Sequence, residues 1–488
     1  MPAGKYDVIV VGGGYGGVAC AALLAKRGLR TLLVEKNDRA GGKALTVSHG
    51  GFKYELWPVA GSPAHGSLFE ALLKEIGAEG KVELITPEDG AGVVYRPRDG
   101  DYRRPSRGGA GDQLSRMIEV FQLTESDVVE LGRVMTDINT MPPEEIDKLD
   151  LVPFSEFLAR YNLPESLVSQ YGMQMNIIFV APIDLVPASE AIRVFQDFNV
   201  GGSARHSAGG YGRVAEECAE YVASRPGCGV RYHARVDRIL VEDGAVTGVA
   251  TEAGTFLAPI VISNAGIQPT VLKLVGPEHF DLSYVSYVKG LIPSWGLMGI
   301  RYFIDKPIFD YPLYIAYSDD SYWTVDRFAA AQRGEMPDEV LLFIVVPAAY
   351  DPTLAPAGKQ CVLASTLCSP DPHMDPEPWW RKVDEMMEKL WPEMKGAVES
   401  KEPYSTQHVS VTTRDSAVVG AGGECIGLGQ IVGQCGRYKP SAQAPVRGLF
   451  YVGCDAGGYG CGTHQAADSG VKVADLVYRH HRQRVAFR

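Results

Sequence analysis

Long apolar runs are missing from this sequence. The stretch 290–300, GLIPSWGLMGI, lies between Lys289 and Arg301. It has about half the residues that a bilayer-spanning helix needs. Paired cysteines are missing too. The nine Cys residues are scattered and odd in number, with no C-x-x-C pair. Cys361 and Cys368 stand seven apart, as do Cys454 and Cys461, but neither pair has the His/Cys company of a metal site. This pattern excludes a disulfide framework and reads as reduced thiols. Lys5 and Asp7 lead directly into an apolar strand with no leader-like stretch before it, so a cytoplasmic location is expected. Positive charge is in short supply: 47 Lys and Arg face 59 Asp and Glu, a net charge of −12. No nucleic-acid partner is therefore expected, and anionic membranes exert no general attraction. One basic cluster, Arg96, Arg98, Arg103, Arg104 and Arg107, leaves two readings open. It is a solvated hairpin, or a gate that meets an anionic substrate or a peripheral membrane surface. No internal repeat, low-complexity segment, Ser-His-Asp set or metal cluster is evident.

What the sequence does have is glycine, 55 of 488 residues, with much of the excess in motif loops. The first motif is VIVVGGGYGGVACAALLAKRGLRTLLVEK, residues 8–36. Val8 to Val11 is a β-branched apolar run, the pattern of a strand buried on both faces. Gly12, Gly14 and Gly17 have the spacing G-x-G-x-x-G, with Tyr15 between them. Val18 to Lys26 is Ala- and Leu-rich helix material, and Gly28 stops it. Thr31 to Val34 is a second apolar strand, ended by Glu35 and Lys36. The glycines permit a tight turn, a close approach to a pyrophosphate and tight helix–strand packing. The helix N-terminus then faces an anion. Glu35, 23 residues after Gly12, stands where an acid accepts ribose hydroxyls. An acid there favours FAD or NAD over NADP.

Further motifs narrow the choice. Gly41-Gly42-Lys43 follows the acid by about seven residues. AGGYGRVAEECAEYVASR (208–225) is a glycine turn into a helix. The stretch 229–266 runs through VRYHARVDRI, a DGAVTGV hairpin and an IVISNAG strand that holds Asn264. The last motif, VRGLFYVGCDAGGYGCGTHQAADSG, carries a strand, Gly453, Asp455, a glycine loop, Thr463 and a helix from Gln465 to Tyr478. In this order the motifs resemble those of FAD-binding amine oxidases and phytoene-desaturase-like flavoproteins, a group that includes carotenoid desaturases and isomerases. The resemblance implies non-covalently held FAD, with Gly42 and Lys43 along the cofactor. It also implies backbone contact from Val236 to the adenine and an acid, Asp455, on the ribityl chain. The last helix would face the flavin pyrimidine, where a positive helix end stabilises charge on reduction. Three departures stand out. Lys43 replaces the usual arginine and loses its planar fork. Cys454 stands where many relatives have the acid directly after the glycine. Trp57 occupies a place that is often acidic or small.

The resemblance implies an α/β fold. A Rossmann-like FAD-binding domain, with a parallel sheet and a βββ hairpin segment, is interleaved with a substrate domain of mixed or antiparallel sheet and cap helices. The expected order is 1–105 FAD-binding segment, 106–204 helical cap, 205–280 second FAD-binding segment, 281–415 substrate sheet and helix, and 416–488 third FAD-binding segment. Tyr438, beside Lys439, and His464 are the only side chains that stand out as proton-transfer candidates. Each also has a bland reading, as cavity lining or helix capping. The leading expectation is an FAD-dependent oxidoreductase that dehydrogenates or reduces carbon–carbon bonds of a small hydrophobic substrate, isoprenoid or cyclic. The alternatives are a non-redox double-bond isomerase, a flavin amine oxidase, and a cofactor-free prenyl- or lipid-binding protein such as a Rab GDP-dissociation inhibitor. No second G-x-G-x-x-G with a strand-spaced acid is present, so a separate NAD(P)H domain is not expected. Oxygen, a quinone or a carrier protein remain as electron acceptors, and the oligomeric state is open.

Overall fold

The computed structural model describes residues 6–59, 68–87, 90–104, 113–201 and 205–486. Strand β1 (Val8–Val11) is buried along its whole length and helix α1 (Tyr15–Lys26) follows it directly. Strand β2 (Thr31–Val34) then pairs with β1 in parallel, Val10 opposite Leu33. The short strands Val261–Ser263 and Leu449–Tyr451 extend the sheet on one side and Gly229–Arg231 on the other. All three added pairings are parallel as well, so both faces need cover. That is why the central strands are buried along their whole length rather than alternating.

The two faces are covered differently. On one, α1 packs between the helix Arg213–Ser224 and the long C-terminal helix Gly462–Ala486. On the other lie the antiparallel strands Val236–Glu242, Ala245–Thr251 and Gly254–Leu257 and the helix Leu282–Gly290. Asp243 and Gly244 join the first two of these strands with φ of +48° and +70°, the left-handed pair that a type I′ hairpin demands. The α1 contact with the C-terminal helix is very close. A Cβ on Gly470 would lie 2.7 Å from the Ala19 Cβ and 2.8 Å from the Gly16 carbonyl.

A second, six-stranded sheet forms the other half. Its order is Val398–Tyr404, Gly296–Ile304, Gln360–Cys368, Leu342–Val345, Leu313–Ser318 and Ala91–Arg96. Every pairing is antiparallel except the last, where Ala91–Arg96 runs parallel to Leu313–Ser318. The strand 91–96 thus joins the substrate sheet, although in sequence it lies with the first nucleotide-binding segment. The cap between residues 113 and 201 is helical throughout, including Glu125–Thr140, Glu165–Ile178 and Ala188–Gly201. Its prolines fall at helix starts, as at Pro164 and Pro143, where a missing N–H costs nothing.

The basic cluster does not form a free gate. Arg96 pairs with Glu339 at 2.9 Å, and Arg98 with Asp320 at 3.1 Å and with Glu165. Arg103 donates to the Val120 carbonyl, and Arg104 to the Leu390 carbonyl while lying over the Trp391 ring. Arg107 lies outside the described residues. No cysteine among the described residues is bridged, and no described helix is long and apolar enough to cross a membrane.

Gly470→Val forces two helices apart at their tightest crossing. The expected loss is about 1–3 kcal/mol, read as a lower thermal midpoint. An unchanged midpoint would show that the α1 crossing is not a tight one.

Candidate functional site

A large cavity, about 1160 Å³, runs between the two sheets. One end is built from the carboxyl ends of the parallel strands, where the fold's loops leave β1, β2 and their neighbours. Gly12, Gly14, Tyr15, Glu35, Lys36, Gly42, Lys43, Val236, Asn264, Gly453, Asp455 and Thr463 all line it. These come from three stretches far apart in sequence. Gly17 is the one glycine of the motif set back from the cavity wall. It serves packing, since a Cβ there would lie 2.1 Å from the Gly12 carbonyl oxygen.

The local geometry suits a dinucleotide. Gly14 is the N-cap of α1, no side chain caps the helix, and no acid lies in its first turn. Its first N–H groups are therefore left for an anion. The second glycine pair packs directly on this loop: Gly41 N–H donates to the Gly13 carbonyl at 2.9 Å. A Cβ on Gly42, at φ +60°, would stand 2.9 Å from the Gly14 Cα. Asn264 lies across the loop, with its amide donating to the Val452 carbonyl (3.1 Å) and accepting from Gly14 N–H (3.3 Å). The Glu35 carboxylate accepts from Gly13 N–H at 2.6 Å and Asn37 N–H at 2.8 Å. Burial raises its pKa, and those two donors oppose the rise. Lys36 reaches back to the Val411 carbonyl and Asp415. Val236 opens the hairpin strand opposite Thr251. At the other end of this wall the C-terminal helix starts at Gly462, with no acid in its first turn. Thr463 there shares a hydrogen bond with the Tyr211 hydroxyl at 3.0 Å, and Tyr15 donates to the Tyr211 carbonyl.

Beneath these loops lies a buried charge cluster of which the sequence motifs mark only Asp455. The Arg414 guanidinium binds Glu424 through Nε and Asp455 through Nη1, the latter at 3.1 Å. Glu424 is 1% exposed and Asp455 4%. Asp455 also accepts from Ile267 N–H (2.8 Å) and Leu428 N–H (2.9 Å). Burial alone would raise the Asp455 pKa. The Arg414 charge and the two N–H donors outweigh it and hold the carboxyl below its usual range. The acid read from sequence as a ribityl contact is thus engaged by three protein donors. The Lys43 ammonium donates to the Glu424 carbonyl, and burial lowers its pKa.

Two candidates fall elsewhere. Tyr438 is 40% exposed, has the Arg437 guanidinium over its ring and is not among the residues that line the cavity. It lies on a short 3-10 turn whose direction the sequence does not encode. His464 sits in the C-terminal helix with its ring against Phe69 at 6.5 Å, also off the cavity wall. Trp57 does line the cavity. It is buried, with its Nε1 lacking a partner among the described residues. The second half of the cavity is a largely apolar chamber between the mixed sheet and the cap helices. Val93, Leu297, Ile315 and Phe343 come from the sheet, Val120 and Ile177 from the helices.

Because two buried carboxylates face one guanidinium, Arg414→Met should cost about 3–5 kcal/mol. Adding Glu424→Gln and Asp455→Asn should recover most of it, which thermal melts can check. The lowered Asp455 pKa contributes stability above the unfolded carboxyl's value, about 3.9. That contribution is lost as pH falls through the lower folded value. Asp455→Asn should flatten that acid limb of the melting curve.

The comparisons fit this geometry. The family model described as flavin containing amine oxidoreductase matches residues 15–284 and 327–478. The human all-trans-retinol 13,14-reductase is 26% identical, over 97% of this chain and 86% of that protein. The chloroplastic prolycopene isomerase 1 of an Oncidium hybrid cultivar is 25% identical, over 97% and 84%. The zeta-carotene-forming phytoene desaturase of Myxococcus xanthus is 24% identical, over 91% and 89%. Among solved structures, an oxidoreductase from Methanosarcina mazei superposes with a TM-score of 0.70 at 17% identity, covering 96% of this chain and all of that one. The protein is therefore a flavin-dependent oxidoreductase. Its chain belongs to the flavin containing amine oxidoreductase family.

Proposed function

We propose that this chain holds FAD non-covalently and exchanges hydrogen at carbon–carbon bonds of a hydrophobic, isoprenoid-like substrate. The observation that carries the reading is one continuous cavity, polar and glycine-lined at one end and apolar at the other. When bound, the flavin supplies the hydride and electron transfer. The chain's own groups position and enclose. Glu35 takes ribose hydroxyls, while the α1 N-terminus and Lys43 face the pyrophosphate. The start of the C-terminal helix presents its positive end to the cavity. On this reading segments 1–105, 205–280 and 416–488 serve the cofactor, and 106–204 and 281–415 the substrate, with strand 91–96 lent to the substrate sheet.

The chamber supports carbon–carbon chemistry over amine oxidation. Among the described residues no histidine lines the cavity, and Asp310 is the one acid on the chamber side. An apolar enclosure excludes water and favours a neutral substrate. The same lack of acid–base groups suits a second reading, double-bond isomerisation on the reduced cofactor. A relative bearing the name prolycopene isomerase supports it.

The purified, desalted protein should show oxidised-flavin absorption and release all its FAD on heat denaturation. A colourless protein that takes up no added FAD overturns the proposal. Glu35→Ala should weaken FAD binding by about 1.5–3 kcal/mol, one to two orders of magnitude in Kd. Unaltered affinity would remove Glu35 from the ribose. Product mass after anaerobic incubation with polyenes separates the readings. A change of two hydrogens supports redox turnover, and unchanged mass formed only after flavin reduction supports isomerisation.

A further inference from the structure

The chamber carries two amides that the flavin chemistry does not use. Gln170 and Gln174 lie one helical turn apart on the cap helix Glu165–Ile178, and both line the cavity. At that spacing they share a face of the helix. Met173 and Ile177 of the same helix line the cavity with them, as do Val93, Leu297 and Phe343 of the mixed sheet. A third amide on this helix, Asn176, is fully used inside the wall. It donates to the Ala181 and Trp323 carbonyls at 3.0 Å each and accepts from Trp323 N–H at 2.6 Å.

Gln170 and Gln174 are not used up in this way. The Gln170 Oε1 accepts from the Tyr317 hydroxyl at 2.5 Å, which fixes its amide and turns Nε2 away from that partner. No described group takes this Nε2 as a donor. The Gln174 Oε1 is buried without any hydrogen-bond partner, and no described group bonds its Nε2. An unpaired buried amide costs about 1–3 kcal/mol. A chamber meant only for hydrocarbon would be better lined by Leu or Met at both positions.

The two amides are set back from the end of the cap helix, Gln174 by four residues and Gln170 by eight. Val180, just beyond the helix end, accepts from Trp295 N–H, and Trp295 in turn accepts from Cys425 N–H beside Lys43's partner Glu424. Gln170 is eight residues back from Ile178, about 12 Å along the helix at 1.5 Å per residue. A polar group bound there sets the register of a long substrate without touching the reacting bond.

We propose that Gln170 and Gln174 form a recognition site for a neutral oxygen function, a hydroxyl or carbonyl, at the remote end of the apolar substrate. The inference deepens the functional reading above and rests on it. The substrate class is then an oxygenated polyprenoid rather than a pure hydrocarbon. Gln174→Leu is the cleaner variant, because Gln170→Leu would strand the Tyr317 hydroxyl. It removes an unpaired amide, so the thermal midpoint should hold or rise.

Binding to the FAD-loaded protein is measured by tryptophan-fluorescence quenching. The probes are geranylgeraniol and the same chain with its hydroxyl replaced by hydrogen. The wild type should favour the alcohol on the order of tenfold. Gln174→Leu should bring the two within about twofold while leaving hydrocarbon binding unchanged or tighter, and Gln174→Met should behave alike. Equal binding of the two probes by the wild type, no binding of the alcohol, or a preference that survives both substitutions overturns the proposal. Tighter binding of the matching carboxylic acid, abolished by Arg116→Gln, also overturns it by moving recognition to a cation on the cavity wall. Flavin content, read from absorbance in the same samples, separates the two claims. A loaded protein without alcohol preference loses only this inference, and an unloadable one loses the functional reading.

Discussion

The Arg414 guanidinium is the tie on which the cofactor end of the cavity depends. It binds carboxylates from two stretches, Glu424 and Asp455. Asp455 in turn holds the backbone at Ile267 and Leu428. Three stretches, around 267, 424–428 and 455, are thereby fixed to one buried positive charge. Gly266 lies flat against it, since a Cβ there would come within 2.5 Å of the Arg414 Cζ. Charges this deeply buried survive only when paired. The loops are therefore held in place by the cost of separating them.

Above that tie, close backbone contact does the shaping. Gly14 meets Gly42 and Asn264, and Gly453 meets Asn264 and Gly16, so nearly that side chains would collide. The result is a wall of N–H groups and helix ends rather than side chains. A polar backbone wall suits an extended anionic cofactor, because its donors are fixed before anything binds. The opposite wall of the cavity follows the reverse logic. The mixed sheet and the cap helices offer branched and aromatic side chains to a neutral guest. The two halves meet in one space because the chain passes repeatedly between the sheets. It lends Ala91–Arg96 to the far sheet before returning to the near one.

Neighbouring proteins in the family carry names that span reduction, desaturation and isomerisation. That range fits a site whose protein groups position and enclose while the cofactor does the chemistry. Differences among such enzymes then reside in the chamber. There a few polar side chains in an apolar wall decide which molecule enters and in what register.

The sequence by itself determined the βαβ unit at 8–36, the hairpin at Asp243-Gly244 and the glycine-to-helix turns before α1 and the C-terminal helix. These are local events. A buried parallel strand needs a continuous β-branched run, and a tight turn needs glycine at a fixed spacing, so each leaves its mark within a few residues. Glu35 was legible for the same reason, since its distance from Gly12 is set by one strand, one turn and one helix. Arg414, Glu424, Gln170 and Gln174 were not legible. Arg414 lies in an irregular loop, and its meaning comes from Asp455, 41 residues on. The amides look like ordinary polar positions on a helix until the sheet closes over them. Tyr438 shows the converse: a plausible residue close in sequence to the site, carried to the surface by a short turn. Local spacing fixed the glycine loops at one end of the cavity. Only the packing of distant segments decided which buried charges hold them and which side chains face the guest.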